Sequence, residues 1–162
     1  MIIFSGKNKK MKVKDIMNSK VLSVSADDKV SEVADMLIKN KIHGVPVVDE
    51  NKKIIGIITE TNFFAKVDGD FYLSQFVKNI QENKLPDVEG LTKESKITQE
   101  TRVYDIMTKD CVFVDPEMET NELFEVFRKH GFHTIPVAKE DGILCGIVSI
   151  ADIIKMTTEN KK

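Results

Sequence analysis

Sliding the chain along itself by ninety residues aligns Val13 to Ala65 with Val103 to Lys155 without a gap, and thirteen of the fifty-three aligned positions are identical. Unrelated segments would share roughly three, so the sequence is an internal duplication. The identities fall in clusters. Val13 with Asp15-Ile16-Met17 matches Val103 with Asp105-Ile106-Met107, His43-Gly44-Val45-Pro46-Val47 matches His133-Thr134-Ile135-Pro136-Val137, and Gly56-Ile57 matches Gly146-Ile147. A unit of about fifty residues cannot bury enough apolar surface by itself. Two copies are therefore expected to pack together as one pseudo-symmetric module with two related clefts.

Within a copy the periodicity changes in a fixed order. Val21 to Val24 reads as a short strand. Val30, Val33, Ala34, Leu37 and Ile38 then recur at helical spacing, with Asp27 or Asp28 as candidate cap and Lys29, Glu32, Asp35 and Lys39 on the wet side. Val45 to Val48 and Ile54 to Thr59 read as two strands joined at Asp49-Glu50-Asn51, and a second helix is expected from about Thr61. The second copy repeats the order, with Leu123, Phe124 and Phe127 on its first helix and Asp141-Gly142 in its hairpin. The predicted fold is α+β, built from two β-α-β-β-α repeats. Residues 1–12 form a lead-in, 13–67 the first copy, 68–101 an insertion, and 102–158 the second copy. Leu73, Phe76, Val77 and Ile80 predict an amphipathic helix in the insertion, followed by a polar stretch with Pro86 and Gly90.

Composition narrows the partners. The 162 residues are 41% hydrophobic and 31% charged, as in ordinary globular domains, and 24 Lys+Arg against 26 Asp+Glu leave a net charge of -2. No global basic field recruits nucleic acid or an anionic membrane, and Lys7, Lys9, Lys10 and Lys12 read as a solvated lead-in. Cys111 and Cys145 lie in apolar runs without CxxC spacing, as small buried hydrophobes in a reducing compartment do. No stretch approaches the ~20 apolar residues of a membrane span, and the initial Met1-Ile2-Ile3-Phe4 is too short for a signal segment. A cytoplasmic protein is expected.

Chemistry concentrates at Gly146-Ile147-Val148-Ser149-Ile150-Ala151-Asp152 and its altered twin Gly56-Ile57-Ile58-Thr59-Glu60-Thr61-Asn62. Each delivers a hydroxyl to the start of a helix, where backbone N–H groups and the dipole attract phosphate. An aspartate one turn on can accept hydrogen bonds from vicinal hydroxyls, as an acidic residue does with ribose in dinucleotide folds. The same residues also serve as plain helix caps. Gly56 and Gly146 fit close packing as well as ligand approach, and His43 and His133 fit a strand boundary as well as a ligand contact. Met17 and Met107 read as core filling, and His130 as a helix C-terminal residue that complements the dipole. Neither a zinc cluster nor a catalytic metal site is spelled out.

Together the Asp-Ile-Met lead-ins, the Pro-Val pairs at 46–47 and 136–137, and the Gly-Ile-Val-Ser-Ile-Ala-Asp ending resemble the tandem CBS domain, named for cystathionine β-synthase. The resemblance implies a disc-like pair whose clefts bind an adenosine compound such as AMP, ADP, ATP or S-adenosylmethionine. It implies no required cofactor, and it suggests a homodimer that signals to a regulated protein. Carried over by position, it assigns the second-copy site to Val112, His133, Ile135, Pro136, Ser149 and Asp152. Val112 and Ile135 would sandwich adenine, Asp152 hold the ribose, and Ser149 and His133 lie near phosphate. In the first copy Leu22, His43, Val45, Pro46, Thr59 and Asn62 match, but Asn62 replaces a charged acceptor with a neutral one, so a weaker or empty site is expected. No P-loop, nucleophile elbow or carboxylate cluster suggests catalysis. The expected function is a non-catalytic nucleotide sensor; the alternative is a dimerising interaction module with vestigial clefts.

Overall fold

The computed structural model describes residues 11–67, 70–73 and 101–159. They form two compact units, and the duplication boundaries are not the unit boundaries. One unit is Leu22–Cys111; the other joins the residues up to Val21 with those from Val112 on. They are called here the Asn62 unit and the Asp152 unit, after the residue each carries at the strand-to-helix junction. Each lead-in thus leaves its own copy and packs on the body of the other.

In the Asn62 unit, α2 (Val30–Asn40) buries Val30, Val33, Ala34 and Leu37 and leaves Ile38 exposed. It faces an antiparallel hairpin of β1 (Gly44–Val48) and β2 (Ile54–Thr59), paired from Gly44 with Thr59 to Val48 with Ile54 across a bulge at Val47/Val48. The short helix α3 (Val103–Ile106) and its C-cap Met107 add Val103, Met107 and the partly buried Ile106 to the core. The Asp152 unit repeats the plan. Its α4 (Thr120–His130) buries Leu123 and Phe127, and β5 (Thr134–Ala138) pairs with β6 (Leu144–Ser149) in the same register and with the same bulge. There α1 (Val13–Ile16) supplies the fully buried Val13, and α5 (Ile150–Glu159) adds Ile153.

The swapped lead-ins explain the most heavily shared residues. A Cβ on Gly56 would lie 2.8 Å from the Thr108 carbonyl oxygen and 2.9 Å from the Met107 Sδ, and one on Gly146 would collide with the Met17 Sδ. The glycines of the ladder are therefore seats for the lead-in methionines, which settles the choice left open at these glycines toward close packing. Main-chain bridges fix the fit. Thr108 N–H donates to Ile57 at 2.9 Å and receives from it at 3.0 Å, and Asn18 exchanges the same pair with Ile147 at 2.9 and 3.0 Å.

Several elements differ from the sequence expectation. The strand expected over Val21 to Val24 shrinks to one parallel bridge between Val24 and Val47, matched by Val114 with Val137. The Val24 N–H reaches the Pro46 carbonyl at 3.1 Å and Val114 does the same with Pro136. The next ladder bond toward the chain start would need an N–H that proline lacks. Neither Asp27 nor Asp28 caps α2: Lys29 stands at the N-cap, and the Asp28 carboxylate instead accepts the Ser25 N–H at 2.8 Å. The helix expected from Thr61 is a single 3-10 turn, Glu60–Phe63, followed by β3 (Phe64–Val67) paired with β4 (Asp70–Leu73). Leu73 is thus on a strand; Phe76, Val77, Ile80, Pro86 and Gly90 lie outside the described residues, as do Lys7, Lys9 and Lys10. Lys12 is not merely solvated: with Lys14 it holds Glu117 across the joint between lead-in and body.

Candidate functional site

The candidate residues gather at two equivalent junctions, one per unit. In the Asp152 unit, β6 ends at Ser149 and α5 begins at Ile150. Asp152 Oδ2 accepts the Ser149 backbone N–H at 2.8 Å and its hydroxyl at 2.6 Å. This is the acidic half of a capping box, with the helix dipole favouring the charge. The Ile150 N–H donates to the His133 carbonyl at 3.1 Å, which fixes the start of β5 beside the start of α5. Oδ1 of Asp152 and the exposed ring of His133 carry no hydrogen bond among the described residues.

In the Asn62 unit the corresponding side chains are engaged. Asn62 Oδ1 accepts the Thr59 N–H at 2.8 Å and the Thr59 hydroxyl at 3.0 Å. Its Nδ2 donates to the Ile106 carbonyl at 2.8 Å and to the Thr108 hydroxyl at 3.3 Å, so both lone pairs and both protons of the amide are used. Thr59 and Thr61 hydroxyls lie 2.8 Å apart. The His43 ring, whose counterpart is unpartnered, has its Nδ1 3.1 Å from Glu60 Oε2.

The remaining candidates divide by exposure. Val112 and Leu22 are 40% and 45% exposed, whereas Ile135 and Val45 are each 1% exposed and belong to the two cores. Pro46 and Pro136 are buried, and their effect is felt one residue pair away: the carbonyls of Leu22 and Val112 face the missing proline N–H and carry no hydrogen bond among the described residues. Glu60, Thr61, Ile106 and Thr108 were not singled out from sequence. The signal for the first was present in the ninety-residue alignment, where Glu60 faces Ile150. The partners of Asn62 come from the lead-in of the other copy, which no periodicity reveals. Both cysteines are free thiols, and burial pushes each above the usual thiol range. Among the described residues no helix is long and apolar enough to cross a membrane.

Comparison with known proteins follows the same lines. The MJ1426 protein of Methanocaldococcus jannaschii is 29% identical over 155 residues, covering 90% of each chain. An inosine-5'-monophosphate dehydrogenase of Aquifex aeolicus is 33% identical over 135 residues, spanning 83% of this chain but 22% of the enzyme. Among solved structures, the CBS domain pair of MJ0100 in complex with 5'-methylthioadenosine and S-adenosyl-L-methionine superposes with a TM-score of 0.66 at 22% identity, covering 93% of this chain and 98% of that one. CBSX2 of Arabidopsis thaliana, in complex with AMP, gives 0.70 at 19% identity with the same coverage. At these identities the likeness establishes the fold. The CBS domain family model matches residues 13–69 and 103–158, and the chain belongs to the CBS domain family.

Proposed function

We propose that this chain is a non-catalytic regulatory module that binds an adenosine-containing ligand at the Asp152 junction and passes metabolite state to a partner protein. The observation that carries the reading is the asymmetry of the junctions. Among the described residues Asp152 keeps one carboxylate oxygen uncommitted and the exposed His133 ring has no partner, while the Asn62 amide is saturated and His43 Nδ1 is held by Glu60. A ribose diol supplies donors that an ionised carboxylate oxygen accepts, in a charge-assisted bond roughly twice as strong as a neutral one. The free Val112 carbonyl suits the amino group of adenine, and the exposed Val112 side chain suits its ring. Ser149 has its proton on Asp152, so phosphate contact there requires the hydroxyl to rotate away from Oδ2. Two related folds support the ligand class, since one holds S-adenosyl-L-methionine and another AMP. The same reading places the protein in the cytoplasm as a homodimer.

A thermal-shift series with AMP, ADP, ATP and S-adenosylmethionine tests it. A ligand at about 100 times its Kd stabilises by about 2.7 kcal/mol, a midpoint rise of roughly 5 to 10 °C for a chain of this length. Asp152→Ala is expected to erase the ligand-induced rise and Asn62→Ala to preserve it. Saturation at the first junction favours the interaction module for that copy, and a series with no rise for any of the four compounds would extend that reading to both.

A further inference from the structure

We propose that the lead-in around α1 is the element through which occupancy of the Asp152 junction is read, and that Asn62 is a built-in substitute for the occupant. This rests on the ligand reading above. The two joints share one backbone register: Thr108 is bridged to Ile57 as Asn18 is bridged to Ile147, with N–H to carbonyl distances that agree within 0.1 Å. Ile106 and Ile16 are therefore equivalent, two residues before each bridge. The Ile106 carbonyl receives the Asn62 amide at 2.8 Å, whereas the Ile16 carbonyl receives nothing among the described residues. By the same register Asp152 stands where Asn62 does, its Oδ2 on Ser149 as Asn62 Oδ1 is on Thr59, and its Oδ1, in the place of the donating Nδ2, can only accept as an ionised carboxylate oxygen. The Asn18 side chain does not bridge that oxygen and the Ile16 carbonyl: its Oδ1 accepts the Lys20 N–H at 2.9 Å, and its Nδ2 makes no hydrogen bond among the described residues.

Two acceptors facing one another across a joint weaken it, and a species carrying two adjacent donors removes the conflict. A vicinal diol is such a species: one O–H goes to Asp152 Oδ1 and the other to the Ile16 carbonyl. Binding then fastens the lead-in to the body of the second copy, as Asn62 Nδ2 fastens the other lead-in permanently. One unit is locked by its own side chain, and the other awaits a ligand to lock it. The Asp-to-Asn difference is thus an exchange of function, from ligand site to fastener.

Amide hydrogen exchange on the full chain tests this at four N–H groups, Asn18 and Ile147 in one joint, Thr108 and Ile57 in the other. Saturating AMP should slow Asn18 and Ile147 about two- to tenfold, the range one added hydrogen bond gives, and leave Thr108 and Ile57 unchanged. The 2',3'-dideoxy analogue of AMP should bind more weakly and, at concentrations that still fill the site, leave the Asn18 and Ile147 amides unslowed. Asp152→Asn should slow the same two amides with no nucleotide present, and Asn62→Asp should speed exchange at Thr108 and Ile57. AMP that binds yet leaves Asn18 and Ile147 unaltered overturns the inference and spares the ligand reading. Slowing in Asp152→Asn, together with a wild-type chain that binds no nucleotide, supports the fastener and overturns the ligand reading. Unchanged exchange in Asp152→Asn overturns the fastener outright.

Discussion

The two halves of this molecule share a backbone plan and differ in what their side chains ask of the surroundings. The Asn62 unit uses both lone pairs and both protons of its junction amide internally and holds His43 Nδ1 with Glu60, and it tolerates Lys41 and Lys52 at positive φ. The Asp152 unit leaves a carboxylate oxygen, a histidine ring and the Ile16 main-chain carbonyl without protein partners among the described residues, and it places Gly131 and Gly142 at the matching left-handed positions. Duplication supplies two copies of one joint. The copy that keeps unmatched acceptors needs an external donor, and the copy that converts its acid to an amide needs none.

The largest expected effect probes how the lead-ins are seated. At Gly56 an added Cβ meets a main-chain carbonyl, which cannot move without breaking the Ile57–Thr108 bridge. At Gly146 the nearest atoms all belong to the Met17 side chain, which has three torsions with which to yield. Gly56→Ala should cost about 2–3 kcal/mol, lowering the midpoint by roughly 4 to 10 °C, and Gly146→Ala about 1 kcal/mol. Equal losses in thermal denaturation would show that the blocking carbonyl does not distinguish the two seats.

Much of this was legible in the sequence, because a duplication reports its own constraints. The hairpins, the helices α2 and α4, and the junction hydroxyls follow from period and from paired identities. The swap of lead-ins was not legible. Asp15-Ile16-Met17 and Gly56 lie in one copy, yet the Met17 sulfur sits on Gly146 of the other, and hydrophobic spacing does not name a partner. The second helix of the first copy failed for a local reason. The segment after Asn62 reads Phe63-Phe64-Ala65-Lys66-Val67, and its aromatic and β-branched content suits the observed strand over Phe64–Val67. At the site, identity indicated that Asn62 differed from Asp152, but only the Ile106 and Thr108 contacts show what the amide does instead.

A smaller effect comes from the left-handed positions. Lys41 ends α2 at φ 52° where Gly131 ends α4 at φ 66°, and a side chain there carries a strain that glycine does not. Lys41→Gly should stabilise by about 0.5–1 kcal/mol, a net value after the larger chain entropy glycine brings to the unfolded state. Gly131→Ala, with open space around its Cβ, should destabilise by about 1 kcal/mol through backbone strain alone. Opposite signs in chemical denaturation sharpen the comparison; like signs break it.

The smallest effect separates the units by pH. Glu117 binds both Lys12 and Lys14 where the lead-in meets the Asp152 unit, and the hydrogen bonds from these lysines hold its carboxyl down at about 2 from the ordinary 4.5. The corresponding contact in the Asn62 unit joins Arg102 Nη1 to the Asp27 main-chain carbonyl at 2.9 Å, which does not titrate. A carboxyl with a depressed folded value stabilises above its unfolded value, so the Glu117 contribution is complete above about pH 4.5 and fades as pH falls toward 2. Lys12 is held above its ordinary 10.5 by the same glutamate, so its contribution is complete below that value and fades as pH rises through the elevated one. Because the pair is exposed, salt should weaken it across the whole window. Glu117→Gln should therefore lower the midpoint slightly at pH 7 and low ionic strength, and its curve should converge on the wild type near pH 2. A mutant offset that persists unchanged at pH 2 or in 1 M salt would mean that the lead-in is held there by packing of Val13 and Met17 and not by charge.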